Sequence, residues 1–86
     1  MPELCRFYGL VMTMYWMDHN PPHFHARYGE WMAEIDIQTL AVIRGQLPPR
    51  AMALTIEWAV QHQNDLLRQW ERARQQQPLQ SIEPLP

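Results

Sequence analysis

Apolar and polar residues alternate most cleanly between His23 and Asp36. Phe24, Ala26 and Tyr28 take one set of positions before Gly29-Glu30, and Trp31, Ala33 and Ile35 take the matching set after it. A period of two is the mark of a half-buried strand. The intervening Gly-Glu step supplies a two-residue turn with glycine first, as a type II′ hairpin requires. That turn opposes Tyr28 to Trp31, Ala26 to Ala33 and Phe24 to Ile35 on one face. On the other it opposes Arg27 to Met32, His25 to Glu34 and His23 to Asp36. A one-residue slip would exchange the faces of one strand, so the clean separation fixes the register.

Residues 6–16 are aromatic and β-favouring and read as one strand. Leu10, Met12, Met14 and Trp16 share a face, and Phe7, Val11 and Tyr15 share the other, which suits a central strand. Met17 to Pro22 connects it to the hairpin. Residues 40–44 read as a fourth short strand closed by Gly45. Pro48 and Pro49 then open a helix, since proline is tolerated in the first turn. From Arg50 to about Gln76 there is no glycine or proline. Ala51, Leu54, Trp58, His62, Leu66, Trp70 and Ala73 form an amphipathic stripe, with Asn64-Asp65 as the place for a kink or break. Trp31, Trp58 and Trp70 fall on inward-facing positions. The predicted fold is α+β: an antiparallel β-meander of three to four strands (6–45), then a long C-terminal helix (48–76) on one sheet face, then an extended tail (77–86), all one domain over 1–86.

Composition narrows the function. At 47% hydrophobic and 19% charged residues the chain is globular. No apolar run approaches the ~20 residues of a membrane span, and the first residues lack the basic and apolar regions of a secretory signal. The lone Cys5 cannot form an internal disulfide. These features point to a cytoplasmic protein with no membrane role. Seven arginines, no lysine and nine acids give a net charge of −2. That argues against binding nucleic acid through bulk charge but leaves room for a localised Arg/His site on RNA.

Three of the four histidines lie in Asp18-His19-Asn20-Pro21-Pro22-His23-Phe24-His25. His23 and His25, two apart on a strand, share a face, each opposite a carboxylate, Asp36 and Glu34. A carboxylate orients a neighbouring imidazole and tunes it for acid–base work, so His23, His25, Glu34 and Asp36 are the candidate catalytic residues. Arg27, on the same face, is a candidate phosphate binder, with Asp18 and His19 on the loop beside it. No cofactor is required by this reading, although His19, His23 and His25 with a carboxylate also suit a divalent metal. A protein-binding face, or cross-strand pairs that serve only the fold, are the other readings. His62, between Trp58 and Leu66, suits a core histidine, and nothing near Cys5 suggests an activated thiolate.

The block Asp18 to Ala26, Glu3-x-x-Arg6-Phe7-Tyr8-Gly9, Tyr28-Gly29, Leu47-Pro48-x-Arg50-Ala51, Glu57-Trp58-Ala59 and Ile82-Glu83-Pro84-Leu85 together resemble a family of small bacterial proteins of unknown function. Such proteins are often encoded beside another small uncharacterised protein, in toxin–antitoxin-like gene pairs. The resemblance implies a cognate small protein partner and carries over no catalytic residues. The combined expectation is a toxin-side component acting on RNA through His23 and His25. A non-catalytic binding module and a small metal-binding protein are the alternatives, with a homo-oligomer left open.

Overall fold

The structure is a computed structural model describing residues 3–86. Met1 and Pro2, the start of the predicted domain, lie outside the described residues. Five strands form one antiparallel sheet in sequence order: β1 (Glu3–Phe7), β2 (Leu10–Thr13), β3 (His23–Tyr28), β4 (Trp31–Asp36) and β5 (Val42–Gln46). Two helices follow, α1 (Pro49–Gln61) and α2 (Gln63–Arg74). The α+β meander is therefore as expected in class, with more strands and a divided helix.

The additional strand comes from a turn inside the segment read as continuous. Tyr8 and Gly9 both have positive φ, 50° and 83°, the combination of a type I′ hairpin turn. The chain reverses there, so Phe7 on β1 pairs with Leu10 on β2 and joins it in the core instead of facing the other way. The β3–β4 register is the predicted one throughout, from Tyr28–Trp31 to His23–Asp36. β5 begins two residues later than expected and runs to Gln46, with an irregularity opposite Glu34 and Ile35.

The helix divides at His62, whose φ of −130° leaves the helical range; its N–H bonds back to the Ala59 carbonyl while its own carbonyl accepts from Leu66. The break falls two residues before the anticipated Asn64-Asp65. The Gln63 amide holds the junction by donating to the carbonyls of Ile37 and Gln38. Asp65 lies in the first turn of α2, where a carboxylate meets the positive end of the helix dipole. The Arg68 guanidinium and the His62 ring hydrogen-bond it, holding its carboxyl below its ordinary value.

Trp58 is fully buried, its ring 5.6 Å from Phe24 and 5.9 Å from Phe7. Phe24, Ala26, Ala33, Ile35, Leu10, Met12 and Leu66 complete the contact between sheet and helices. Trp31 is a correction: at the hairpin tip it lies beyond the reach of the helices and is exposed, as is Trp16. The tail straps the structure shut. Ile82 N–H bonds the Leu4 carbonyl on the outer edge of β1, and the Trp58 indole N–H donates to the Glu83 carbonyl at 2.8 Å. Among the described residues no helix is long and apolar enough to cross a membrane.

Two glycines with positive φ separate backbone strain from steric clash. At Gly29 a Cβ would meet nothing within 4 Å, whereas at Gly45 it would run into the Met32 carbonyl of the neighbouring strand. Gly29→Ala should cost about 1–2 kcal/mol, the left-handed penalty alone. Gly45→Ala should cost more than about 2 kcal/mol, since strain and clash add. Urea unfolding of both variants measures the difference; equal losses would rule out the close approach of β5 to β4.

Candidate functional site

The loop between β2 and β3 folds back over the start of β3. The Asn20-Pro21 bond is cis, and the Pro22 carbonyl accepts from the Ile37 N–H just beyond β4. Asp18, on the loop, lies against two histidines of β3. Its Oδ2 lies 3.0 Å from His23 Nε2 and 3.3 Å from His25 Nε2. The other oxygen, Oδ1, accepts from the His19 backbone N–H at 3.0 Å.

His23 is only 4% exposed, walled on one side by Trp70 of α2, whose ring is 5.2 Å away. The Trp70 indole N–H is itself buried without an acceptor among the described residues. His25 is largely covered, its side chain 14% exposed, with the Tyr15 ring 4.7 Å from it in an edge-on arrangement. Glu34 reaches diagonally across the strands, its Oε1 3.7 Å from His23 Nε2 and its Oε2 3.9 Å from Arg44 Nε.

The protonation of His23 follows from its neighbours. Nδ1 lies 2.7 Å from the Pro21 carbonyl oxygen. A carbonyl only accepts, so Nδ1 carries the proton and donates it. In the neutral ring, Nε2 is then a lone pair, aimed at a carboxylate oxygen 3.0 Å away. Two lone pairs at that distance repel unless a cation lies between them. A proton would make His23 an imidazolium; a metal ion would use both lone pairs as ligands. Burial pushes the Asp18 carboxyl up, but it is outweighed by hydrogen bonds from His25 and the His19 N–H and by the charges of His23 and His25. The carboxyl is held below its ordinary value of 3.8.

The donor geometry suits a metal. Zinc-type bonds of about 2.0–2.2 Å place neighbouring donors about 3 Å apart, close to the observed 3.0 and 3.3 Å. One ligand atom each from Asp18, His23 and His25 lies within 4.8 Å of the others. Two histidines and a carboxylate, with open positions beside them, form a donor set used by transition-metal enzymes. A ligating histidine characteristically donates its other N–H to a backbone carbonyl or carboxylate, as His23 does to Pro21.

The predicted residues are thus redistributed. His23, His25 and Glu34 come together, but Asp36 turns away despite standing opposite His23 in the register. Its Oδ1 accepts from the backbone N–H groups of Gln38 and Thr39 at 2.8 and 3.0 Å, closing the turn after β4. Asp18 takes its place. His19 stays outside the donor group: its side chain is 89% exposed and its Nδ1 is 3.5 Å from Asp18 Oδ1. Arg27 is exposed on the same sheet face. The Pro21 carbonyl was missed, because a backbone acceptor has no signature in sequence. Asp18 was legible only as a loop neighbour, although its place in the same short block was the available signal.

A family model for a domain of unknown function, DUF4160, matches residues 9–71, and the chain belongs to that family. The match spans Asp18, His23, His25 and Glu34. Neither the curated proteins nor the solved structures provide a match.

Cys5 is excluded from this chemistry. Burial pushes its thiol up to about 12, with the nearby Glu3 charge adding to the effect. It remains a thiol across the neutral range, and the thiolate is the reactive form. Labelling by a disulfide reagent at pH 8 should be at least about tenfold slower in the folded protein than in urea, since an unperturbed cysteine titrates near 8.5. Equal rates would show that Cys5 is neither buried nor perturbed.

Proposed function

We propose that this DUF4160 member is a divalent-metal protein whose ligands are Asp18 Oδ2, His23 Nε2 and His25 Nε2. The observation that carries the reading is the 2.7 Å bond from His23 Nδ1 to the Pro21 carbonyl, which leaves the Nε2 lone pair facing the Asp18 carboxylate. Three protein ligands leave coordination positions for water or substrate, the arrangement of catalytic rather than structural metal sites. A metal there would lower the pKa of a bound water, in favourable sites to about 7. Glu34, 3.7 Å from His23 Nε2, is placed to accept that water's proton. Hydrolysis is the reaction class that this donor set and carboxylate best serve.

The second reading puts a proton in the same position. His23 is then an imidazolium held by Asp18, and His23, His25 and Glu34 act as acid and base without metal. The low Asp18 carboxyl, with His25 hydrogen-bonded to it, favours this alternative. It is the form in which a toxin-side protein would act on RNA beside a cognate partner.

Titration separates the two. Protein purified without an affinity tag and stripped by chelator should bind one zinc or manganese ion per chain in calorimetry. Asp18→Asn and His25→Ala should each weaken binding by at least about 100-fold, since losing even an outer-shell partner of a ligand costs about 10–100-fold, while His19→Ala should change it less than threefold. Affinity should fall as the pH is lowered, because protons compete with the metal for the ligand nitrogens. A folded protein that binds neither ion stoichiometrically would leave only the proton reading. Loss of binding in His19→Ala would overturn the ligand set.

A further inference from the structure

The sheet face that carries the candidate site continues beyond it as an open surface. Strand pairing places Arg6, Val11, Arg27, Met32 and Gln46 side by side across all five strands. The adjacent row carries Thr13, His25, Glu34 and Arg44 across β2 to β5. Directly opposed residues project from the same face. Arg6, Arg27, Arg44 and Gln46 are solvent-facing, and Val11 and Met32 are half-exposed. Strands lie about 4.8 Å apart and residues advance about 3.4 Å along them. Arg27 therefore stands about 7 Å from His25 along β3, and Arg44 about 10 Å from it across the sheet. Glu34 links Arg44 to the donor group, its two oxygens 3.9 Å from Arg44 Nε and 3.7 Å from His23 Nε2.

Their charges are not equally committed. Arg6 is bound by both oxygens of Glu3, at 2.8 and 2.9 Å. Arg44 lies 3.9 Å from Glu34, beyond hydrogen-bonding distance, and Arg27 makes no ion pair among the described residues. With the histidines neutral, Arg27 and Arg44 balance Asp18 and Glu34, and the bare site carries no surplus charge. A divalent cation leaves a local surplus of two positive charges on a chain whose net charge is −2.

We propose that this face binds the phosphodiester backbone of single-stranded nucleic acid, and does so only when the cation site is filled. One phosphate meets the cation and Arg44, and the neighbouring stretch of backbone runs past Arg27. The interleaving favours a polymer over a single phosphate ester. Val11 and Met32 flank Arg27 in the same row, offering apolar contact to sugars and bases between cationic contacts to phosphates. The outer row is solvent-facing at Arg6, Arg27 and Gln46, so a chain can lie along it beside the site. The inference rests on the metal reading of Asp18, His23 and His25 and names the substrate class of that site.

The test is fluorescence anisotropy with labelled oligouridylate, on protein loaded with whichever of zinc or manganese binds in calorimetry and on the chelator-stripped protein. The loaded protein should bind and the stripped protein should bind at least tenfold more weakly. Arg27→Ala and Arg44→Ala should each weaken binding severalfold. Each should reduce the slope of log affinity against log salt by about 0.7, the single-strand value per phosphate contact. Calorimetric metal affinity should stay unchanged in both, and Arg74→Ala on α2 should behave as the parent. Equal binding of oligothymidylate supports recognition through the backbone. Equal affinity in loaded and stripped protein, no effect of either arginine, or competition by adenosine monophosphate as effective per phosphate as the oligomer overturns the proposal. If the metal binds and the oligomer does not, this inference fails and the metal site stands; if no metal binds, both fail.

Discussion

The hydrogen bond from His23 Nδ1 to the Pro21 carbonyl is the constraint on which the site depends. It commits the only proton of the neutral ring to the loop and turns the other nitrogen toward Asp18. The fold supports that bond from two directions. The Ile37 N–H on the Pro22 carbonyl anchors the loop to the end of β4, so the Pro21 carbonyl cannot drift from β3. On its other side the His23 ring lies 5.2 Å from Trp70, almost wholly out of solvent. The division of the helix at His62 contributes to this arrangement. It re-aims α2 relative to α1, and α2 is the element that brings Trp70 to His23, while α1 brings Trp58 to Phe24.

Much of the scaffold was legible in the sequence, because strand alternation and a glycine-led turn state a register directly. Every β3–β4 pair follows from the Gly29-Glu30 turn and the alternation around it. The Tyr8-Gly9 turn was less legible, since tyrosine is an unusual first residue for a type I′ turn and the apolar pattern runs through it without interruption. The helix break was legible at Asn64-Asp65 but not its position at His62, because Trp58, His62, Leu66 and Trp70 keep their helical spacing across it. For the site itself, register proved a guide to strand neighbours but not to hydrogen-bond partners. His23 and Asp36 stand opposite each other, yet Asp36 satisfies two nearer backbone N–H groups in the turn that follows. Local side-chain-to-backbone bonds of this kind compete strongly with longer contacts. The carboxylate that reaches His23 comes instead from a loop, whose path no periodicity describes.

The two edges of the sheet are treated differently. β1 is covered in part by the tail through Ile82 and Leu4, whereas all five residues of β5 are exposed, Val42 and Ile43 among them. An open edge is a template for pairing with another chain. The positive φ of Gly45, the irregular pairing between Arg44 and Val42, and the charge of Arg44 limit how regular a strand it presents. The open edge adjoins the same face as Arg44 and Glu34. A chain adding to β5 would therefore alter the surroundings of the site without touching its ligands.

A purely structural account of the Asp18–His23 pair meets an energetic difficulty. Removing a charged pair from water costs several kcal/mol per ion, and replacing such pairs by apolar residues is often neutral or stabilising. His23 lies against Trp70 and almost wholly out of solvent, where an apolar side chain would pack without any polar obligation. Instead both ring nitrogens have defined oxygen neighbours, Pro21 O on one side and Asp18 Oδ2 on the other, and a second histidine shares the same carboxylate oxygen. A fold needing only packing gains nothing from directing two imidazole nitrogens at one carboxylate oxygen. A site that holds a cation requires that convergence, and requires the backbone bond that fixes which nitrogen is free to bind it.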